Sequence, residues 1–158
     1  AQNLLGTMAS TVASTGILAA PFGGAAIAMV DVRDVAACAV AALVDPDPVD
    51  GAWHLTGPRP VTFASIAAHL GVRYLPVPPR LAGRALARGG ATDDEIDHAL
   101  RMAAYFRSGA DGAVTDHVLR LTGEHPRPIE AFLDEHQRDF RPAAALARVV
   151  AHLSIRSH

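Results

Sequence analysis

Apolar residues run in short blocks along this chain, and the spacing inside each block predicts an element. Leu4, Leu5, Met8 and Val12 recur at roughly helical spacing across Ala1–Ser14, and Gly16 supplies a stop. Ile17–Ala20 is a continuous apolar run and reads as a short strand. Pro21-Phe22-Gly23-Gly24 then reads as a turn into a second apolar run, Ile27–Val30, so the two strands are expected to form a hairpin. Asp34 is expected to open a helix through Val44 that carries Val35, Cys38, Ala39, Ala42 and Leu43 on one broad apolar side. Its carboxylate suits the free N–H groups and the positive end of a helix dipole, so Asp34 is read as a structural cap. Arg33 beside it has Asp31 or a partner available for an ion pair and is read as solvated.

The prolines of Asp45–Gly51 forbid regular structure there and mark a surface loop. Trp53–Leu55 reads as a strand ended by Thr56-Gly57-Pro58. Thr62 is placed to cap a helix through His69–Leu70, with Gly71 as its left-handed stop, and Val72–Val77 reads as a further strand. The order strand, helix, strand, helix, strand favours a parallel or mixed α/β sheet.

From Arg80 the pattern is helical. A short Ala/Arg-rich helix spans Arg80–Arg88 and ends at Gly89-Gly90. Thr92 with Glu95 forms a capping box for a helix to about Phe106. Another short helix is expected over Asp116–Leu121, stopped at Gly123. Pro128 is placed at a first helical position, with Ile129, Phe132, Leu133 and Phe140 on the buried side of the helix it opens. Arg141–His158 reads as a last Ala/Val-rich helix.

Composition narrows the chemistry. The 158 residues suffice for one domain with its own core, and half are hydrophobic, much of that alanine, with only 5% aromatic. The core is therefore expected to be built from Ala, Val, Leu and Ile. Fourteen arginines against sixteen Asp/Glu give −2, so there is no electrostatic case for nucleic acid. The chain contains no lysine, which excludes a P-loop, a Schiff-base lysine and a Tyr-x-x-x-Lys pair within it. Cys38 is the only cysteine and reads as a buried inert thiol. The longest unbroken apolar run, Val35–Val44, is too short for a bilayer, so no membrane contact is expected and the cytoplasm is the expected location.

Eight histidines invite a metal reading, but none forms an HxxxH pair, and no metal site is expected. Asp93-Asp94-Glu95 is explained by a helix dipole. There is no Gly-x-Ser-x-Gly, GxGxxG or GxxGxxG. Gly109-Ala-Asp-Gly112 lacks the leading strand a dinucleotide loop requires.

Several stretches in series resemble the C-terminal half of NmrA-like proteins, which are atypical short-chain dehydrogenases/reductases of the NAD(P)-binding Rossmann superfamily. They are Gln2-Asn3-Leu4-Leu5, Gly24–Ala28 with Val30-Asp31-Val32-Arg33-Asp34-Val35-Ala36, Gly51–Pro58, Val61-Thr62-Phe63, Leu121-Thr122-Gly123 and Pro126–Phe132. Their order and spacing fit from residue 2 to about residue 140. The resemblance implies an α/β fold: the C-terminal part of a Rossmann-like doubly wound sheet plus a mostly helical substrate-side lobe. It implies a substrate-binding portion over residues 1–140, with the dinucleotide-binding half absent and residues 141–158 an extra C-terminal helix. Asn3, Phe22 and Gly23 match positions bordering a substrate pocket, and Asp34 matches an aspartate of structural role. No catalytic residue is assignable.

The function so implied is the substrate-binding part of an NAD(P)-dependent reductase or NAD(P)-redox sensor, inactive alone. Such a chain would need no cofactor of its own, while a full-length relative would bind NAD(P). Two other classes fit the same residues: a cofactor-free small-molecule-binding protein derived from the fold, and an assembly module that completes a separate Rossmann chain or a homodimer. Self-association or pairing through a sheet edge is expected.

Overall fold

A computed structural model describes residues 1–44 and 51–141, apart from the side chains of Asn3 and Thr7. The helix expected over Arg141–His158 and most of the loop Asp45–Gly51 lie outside the described residues.

The chain begins with a 3-10 turn, Gln2–Leu4, and helix α1, Thr7–Thr15, which Gly16 ends in the left-handed conformation at φ 69°. Strand β1, Ile17–Ala20, follows. It does not form a hairpin with the next strand. β2 is only Ala26–Ile27, shorter than the expected Ile27–Val30 run, and it pairs antiparallel with β3, Val61–Thr62. β1 instead pairs in parallel with β4, Arg73–Pro76, in the register Ile17 to Arg73 through Ala20 to Pro76. Four ladder positions in parallel are available there against the two residues of β2.

Between them run α2, Val32–Val44, and α3, Phe63–His69. α3 is fixed locally: Thr62 Oγ1 accepts from the Ser65 N–H and Ser65 Oγ accepts from the Thr62 N–H. The rest is helical: α4 over Pro79–Arg88, α5 over Asp93–Arg107, α6 over His117–Thr122 and α7 over Ile129–Glu135. α5 has the expected capping box between Thr92 and Glu95. Pro128 is the residue before α7 rather than its first helical position. α4 and α5 form an antiparallel pair across Gly83, where a Cβ would stand 3.4 Å from Leu100 and 3.5 Å from Ile96.

The core lies between α1, the β1/β4 pair, α3 and α7. Leu4, Val12, Leu18, Ile66, Phe132 and Leu133 are buried in it, as expected from the apolar spacing. Aromatic rings contribute more than the composition suggested: Phe63, Phe132 and Phe140 are buried, and Phe22, Tyr74 and Phe106 pack against them.

Trp53–Leu55 is not a strand. No ladder reaches it, and side chains hold it instead. The His54 N–H donates to His117 Nδ1 at 2.9 Å, and the Thr115 hydroxyl donates to the His54 carbonyl. Gly57 continues this strap against Met29, so close that a Cβ would meet the Met29 carbonyl oxygen at 2.2 Å.

α2 differs most from expectation. It starts at Val32, and Asp31, not Asp34, holds its first turn. The Asp31 carboxylate accepts from the Arg33 N–H at 2.8 Å, and its carbonyl accepts from the N–H groups of Asp34 and Val35. Asp34 lies inside the first turn rather than at the cap, and its carboxylate is taken by Arg127 rather than by an N–H of the helix. Of the expected apolar side only Cys38 is buried, while Val35 is 38% and Leu43 84% exposed.

Candidate functional site

The parallel pair β1/β4 gives both strands the same polarity, so both carboxyl ends, Ala20 and Pro76, open on one side. In open α/β sheets that side is where ligands bind. The ladder closes with the Val77 N–H donating to the Ala20 carbonyl at 3.0 Å. The turn Pro21–Gly24 leaves from β1, and Gly23 takes φ 57°, a left-handed conformation that suits glycine. The Tyr74 hydroxyl donates to the Gly23 carbonyl at 2.9 Å and so fixes the turn to β4. Burial pushes the Tyr74 phenol up.

This turn carries Phe22 onto an aromatic shelf. Its ring stacks on Phe63, the first residue of α3, with centroids 4.5 Å apart and planes 25° apart. Phe106, near the end of α5, meets Phe22 edge-on at 5.6 Å. Phe63 and Tyr74 continue the row at 6.4 Å, and Tyr105 meets Phe106 at 5.8 Å. Phe63 is buried, Phe22 and Phe106 are half-buried, and Tyr105 is exposed. Leu75, Leu81 and Met102 add exposed apolar surface on the neighbouring elements. Such a surface binds and orients flat apolar ligands. The Tyr74 proton is committed to the Gly23 carbonyl, and no carboxylate lies on α4 or on α5 beyond Asp97.

Phe22 and Gly23 lie on the Pro21–Gly24 turn that leaves the carboxyl end of β1. Asn3 lies in the 3-10 turn Gln2–Leu4. Its neighbour Gln2 is bonded to Asp31 at 3.1 Å and to the Val32 N–H at 2.9 Å. Sequence reasoning missed Phe63, Tyr74 and Phe106. A signal existed, since few aromatic residues fell on several different elements, but nothing in their spacing joined them.

Asp34 is buried and serves another segment. Its carboxylate accepts from the Arg127 N–H at 2.7 Å and pairs with the Arg127 guanidinium. It therefore ties the Pro126–Pro128 stretch to α2. Asp31 is also buried, and hydrogen bonding to the Arg33 side chain holds its carboxyl well below the usual carboxylate range; the Arg33 N–H and Gln2 add to this, and burial opposes it. Arg33 is not simply solvated, because it also pairs with Glu135 at 2.9 Å.

Two sites for other chemistry are weak. No group of three or more His, Cys, Asp or Glu among the described residues is placed to hold a metal. The N-terminus of α3, which follows β3 directly, is engaged by its own Thr62/Ser65 box, and α4, which follows β4, starts with Pro79, which has no N–H.

Comparison with known proteins agrees with this architecture. Citrobacter sp. triphenylmethane reductase, solved with NADP(H), superposes with a TM-score of 0.71 at 18% identity over 84% of this chain and 49% of that one. An NADPH-dependent quinone oxidoreductase of Escherichia coli gives 0.76 at 19% identity, over 85% of this chain and 50% of that one. The chain has the mixed α/β, Rossmann-like fold of about half of each of these structures. In sequence it is 34% identical over 135 residues to a (4-alkanoyl-5-oxo-2,5-dihydrofuran-3-yl)methyl phosphate reductase of Streptomyces griseus, covering 82% of this chain and 48% of the relative. It is 30% identical over 148 residues to an NAD(P)H azoreductase of Xenophilus azovorans, covering 90% of this chain and 51% of the relative. The chain spans about half the length of these curated relatives. No family model matches it.

Proposed function

We propose that this chain forms the substrate-side wall of an NAD(P)H-dependent reductase that acts on flat, conjugated electrophiles. The observation that carries this reading is the half-buried Phe22 stacked on Phe63 at the carboxyl ends of β1 and β4. A buried ring under a partly open one is a rigid platform for stacking, at low entropic cost. The named substrates of the relatives fit it: dyes, a quinone, an azo compound and an unsaturated furanone phosphate. Phe22, Phe63 and Phe106 bind and orient the ring, Tyr74 holds the Phe22 turn in place, and the apolar surround excludes water. The dinucleotide is assigned to a phosphate loop that these 158 residues do not contain.

Calorimetric titration with 1,4-naphthoquinone and with 2-naphthol tests the wall. Both are expected to bind, and Phe22→Ala to weaken both by about tenfold, the loss of one stacked ring pair. Binding indifferent to Phe22→Ala would refute the shelf. NADPH titrated into the same chain is expected to give no saturable heat at micromolar concentrations, and tight binding would refute the division of labour.

A further inference from the structure

The shelf has a charged rim. Arg80, Arg84 and Arg88 recur every fourth residue, so they share one face of α4. All three are exposed, and none pairs with a carboxylate among the described residues. Arg107, next to Phe106 in the last turn of α5, is exposed and unpaired in the same sense. The antiparallel packing across Gly83 sets the first turn of α4 beside the half of α5 that carries Phe106 and Arg107. α4 itself leaves the carboxyl end of β4 through Val77 and Pro78, the end at which Phe22 stands.

α4 has no Asp or Glu. Asp93, Asp94 and Glu95 lie in the first turn of α5, at the Arg88 end of the pair, and Asp97, next to the Ile96 that faces Gly83, is engaged by Arg101 at 2.7 Å. A run of exposed arginines without a carboxylate partner among the described residues thus lies beside an apolar platform. Two guanidinium groups one helical turn apart, about 5–6 Å between their Cβ atoms, are spaced to close on the oxygens of a single tetrahedral anion.

We propose that Arg80 and Arg84 form an anion-binding site at the rim of the aromatic shelf, which takes the phosphate or sulfonate of a ligand whose planar ring stacks on Phe22. This rests on the shelf reading above and adds the ligand's charge class to it. Arg107 contributes to the field that attracts the anion, without a direct contact assigned to it. The same chemistry is offered by a small phosphate ester and by a lipid headgroup, and the site is assigned to the small ester, because an aromatic shelf is a place for a ring rather than for acyl chains.

Paired probes test it: 2-naphthyl phosphate and uncharged 2-naphthol, titrated by calorimetry at low ionic strength in a buffer free of phosphate. The phosphate is expected to bind about tenfold tighter, as for a charge-assisted hydrogen-bonded pair partly screened by water. Raising the salt to about 0.5 M should shrink that preference, since exposed charges are screened. Replacing both cations, Arg80→Gln with Arg84→Gln, should abolish the preference and leave 2-naphthol binding as it was. Phe22→Ala should weaken both probes in equal proportion. Equal affinity of the parent for the two probes, or a preference that survives the double substitution, overturns the arginine site while the shelf stands if Phe22→Ala still weakens binding. A preference removed by the arginine substitutions but indifferent to Phe22→Ala supports the anion site and sinks the shelf. Failure of both probes to bind overturns both. Sedimentation of the chain with phosphatidylglycerol vesicles, with no heat from 2-naphthyl phosphate, would reassign the arginines to lipid and overturn the proposal.

Discussion

Asp31 and Asp34 are three residues apart, both carboxylates, both buried, and they do different work. Asp31 holds the start of α2 and is itself held by Arg33 and Gln2. Because its carboxyl is depressed in the fold, its contribution to stability is fully present above the ordinary aspartate range, about pH 4, and is lost as pH falls below that toward the folded value. Urea denaturation between pH 5 and pH 2 should show an acid-limb loss that Asp31→Asn flattens, with the substitution costing stability at pH 7. An equal acid limb in both proteins would mean the depressed carboxyl lies elsewhere. Asp34 instead accepts from the Arg127 backbone and side chain. Asp34→Ala leaves that N–H without its partner and should cost about 1–3 kcal/mol, measured as a lowered urea midpoint at unchanged slope. Asp34→Asn, which keeps an acceptor for the N–H, should cost less.

At the scale of elements, what was legible in the sequence was local. The boxes at Thr62 and Thr92, the left-handed glycines 16, 71 and 123, and the buried sides of α1 and α7 are all set by residues within one or two turns of each other. Strand partners were not legible, because β1 could meet β2 or β4 and only the packing of α3 against both β1 and β4 decides it. Nor was the strap at Trp53–Thr56, whose backbone is held by His117 and Thr115 from a distant stretch. The candidate site divides the same way. Phe22 and Gly23 came from a family resemblance, while Phe63, Tyr74 and Phe106 are joined to them only by tertiary structure. The strap yields its own prediction. The Gly57 N–H donates to the Ala28 carbonyl at 3.2 Å, and a Cβ there would overlap the Met29 carbonyl, which is backbone and has no rotamer to yield. Gly57→Ala should destabilise by about 1–3 kcal/mol by forcing the strap off the Ala28–Met29 stretch. Gly24→Ala, which meets nothing within 4 Å, should stay close to the parent melt. If the two alanine variants melt alike, the close approach at Gly57 is not what holds the strap.

For the whole molecule, the largest mismatch between sequence and surroundings is α2. A helix of sequence VRDVAACAVAALV is apolar enough to be a core element, yet of its residues only Asp34 and Cys38 are buried. Val32, Val35, Val40, Leu43 and Val44 are all exposed, which makes an apolar strip along the helix rather than scattered single residues. Periodicity told which side of α2 is apolar; it carries no information on whether anything lies against that side. Among the described residues, α6 packs against α2. Covering one such Val or Leu is worth about 1.5–3 kcal/mol, so several together are enough to drive association at modest concentration. Contact through α2 is an alternative to the sheet-edge pairing expected from the sequence, and side chains on α2 can be changed without touching the sheet backbone. Light scattering after size exclusion is expected to show concentration-dependent association of the parent chain. Val40→Glu with Leu43→Glu, both at positions more than half exposed, should shift it toward the monomer without lowering the melting temperature at low concentration. Association that persists unchanged in the double variant would place the contact at the strand edge, and a parent that is monomeric at every concentration would show that the strip is tolerated in water.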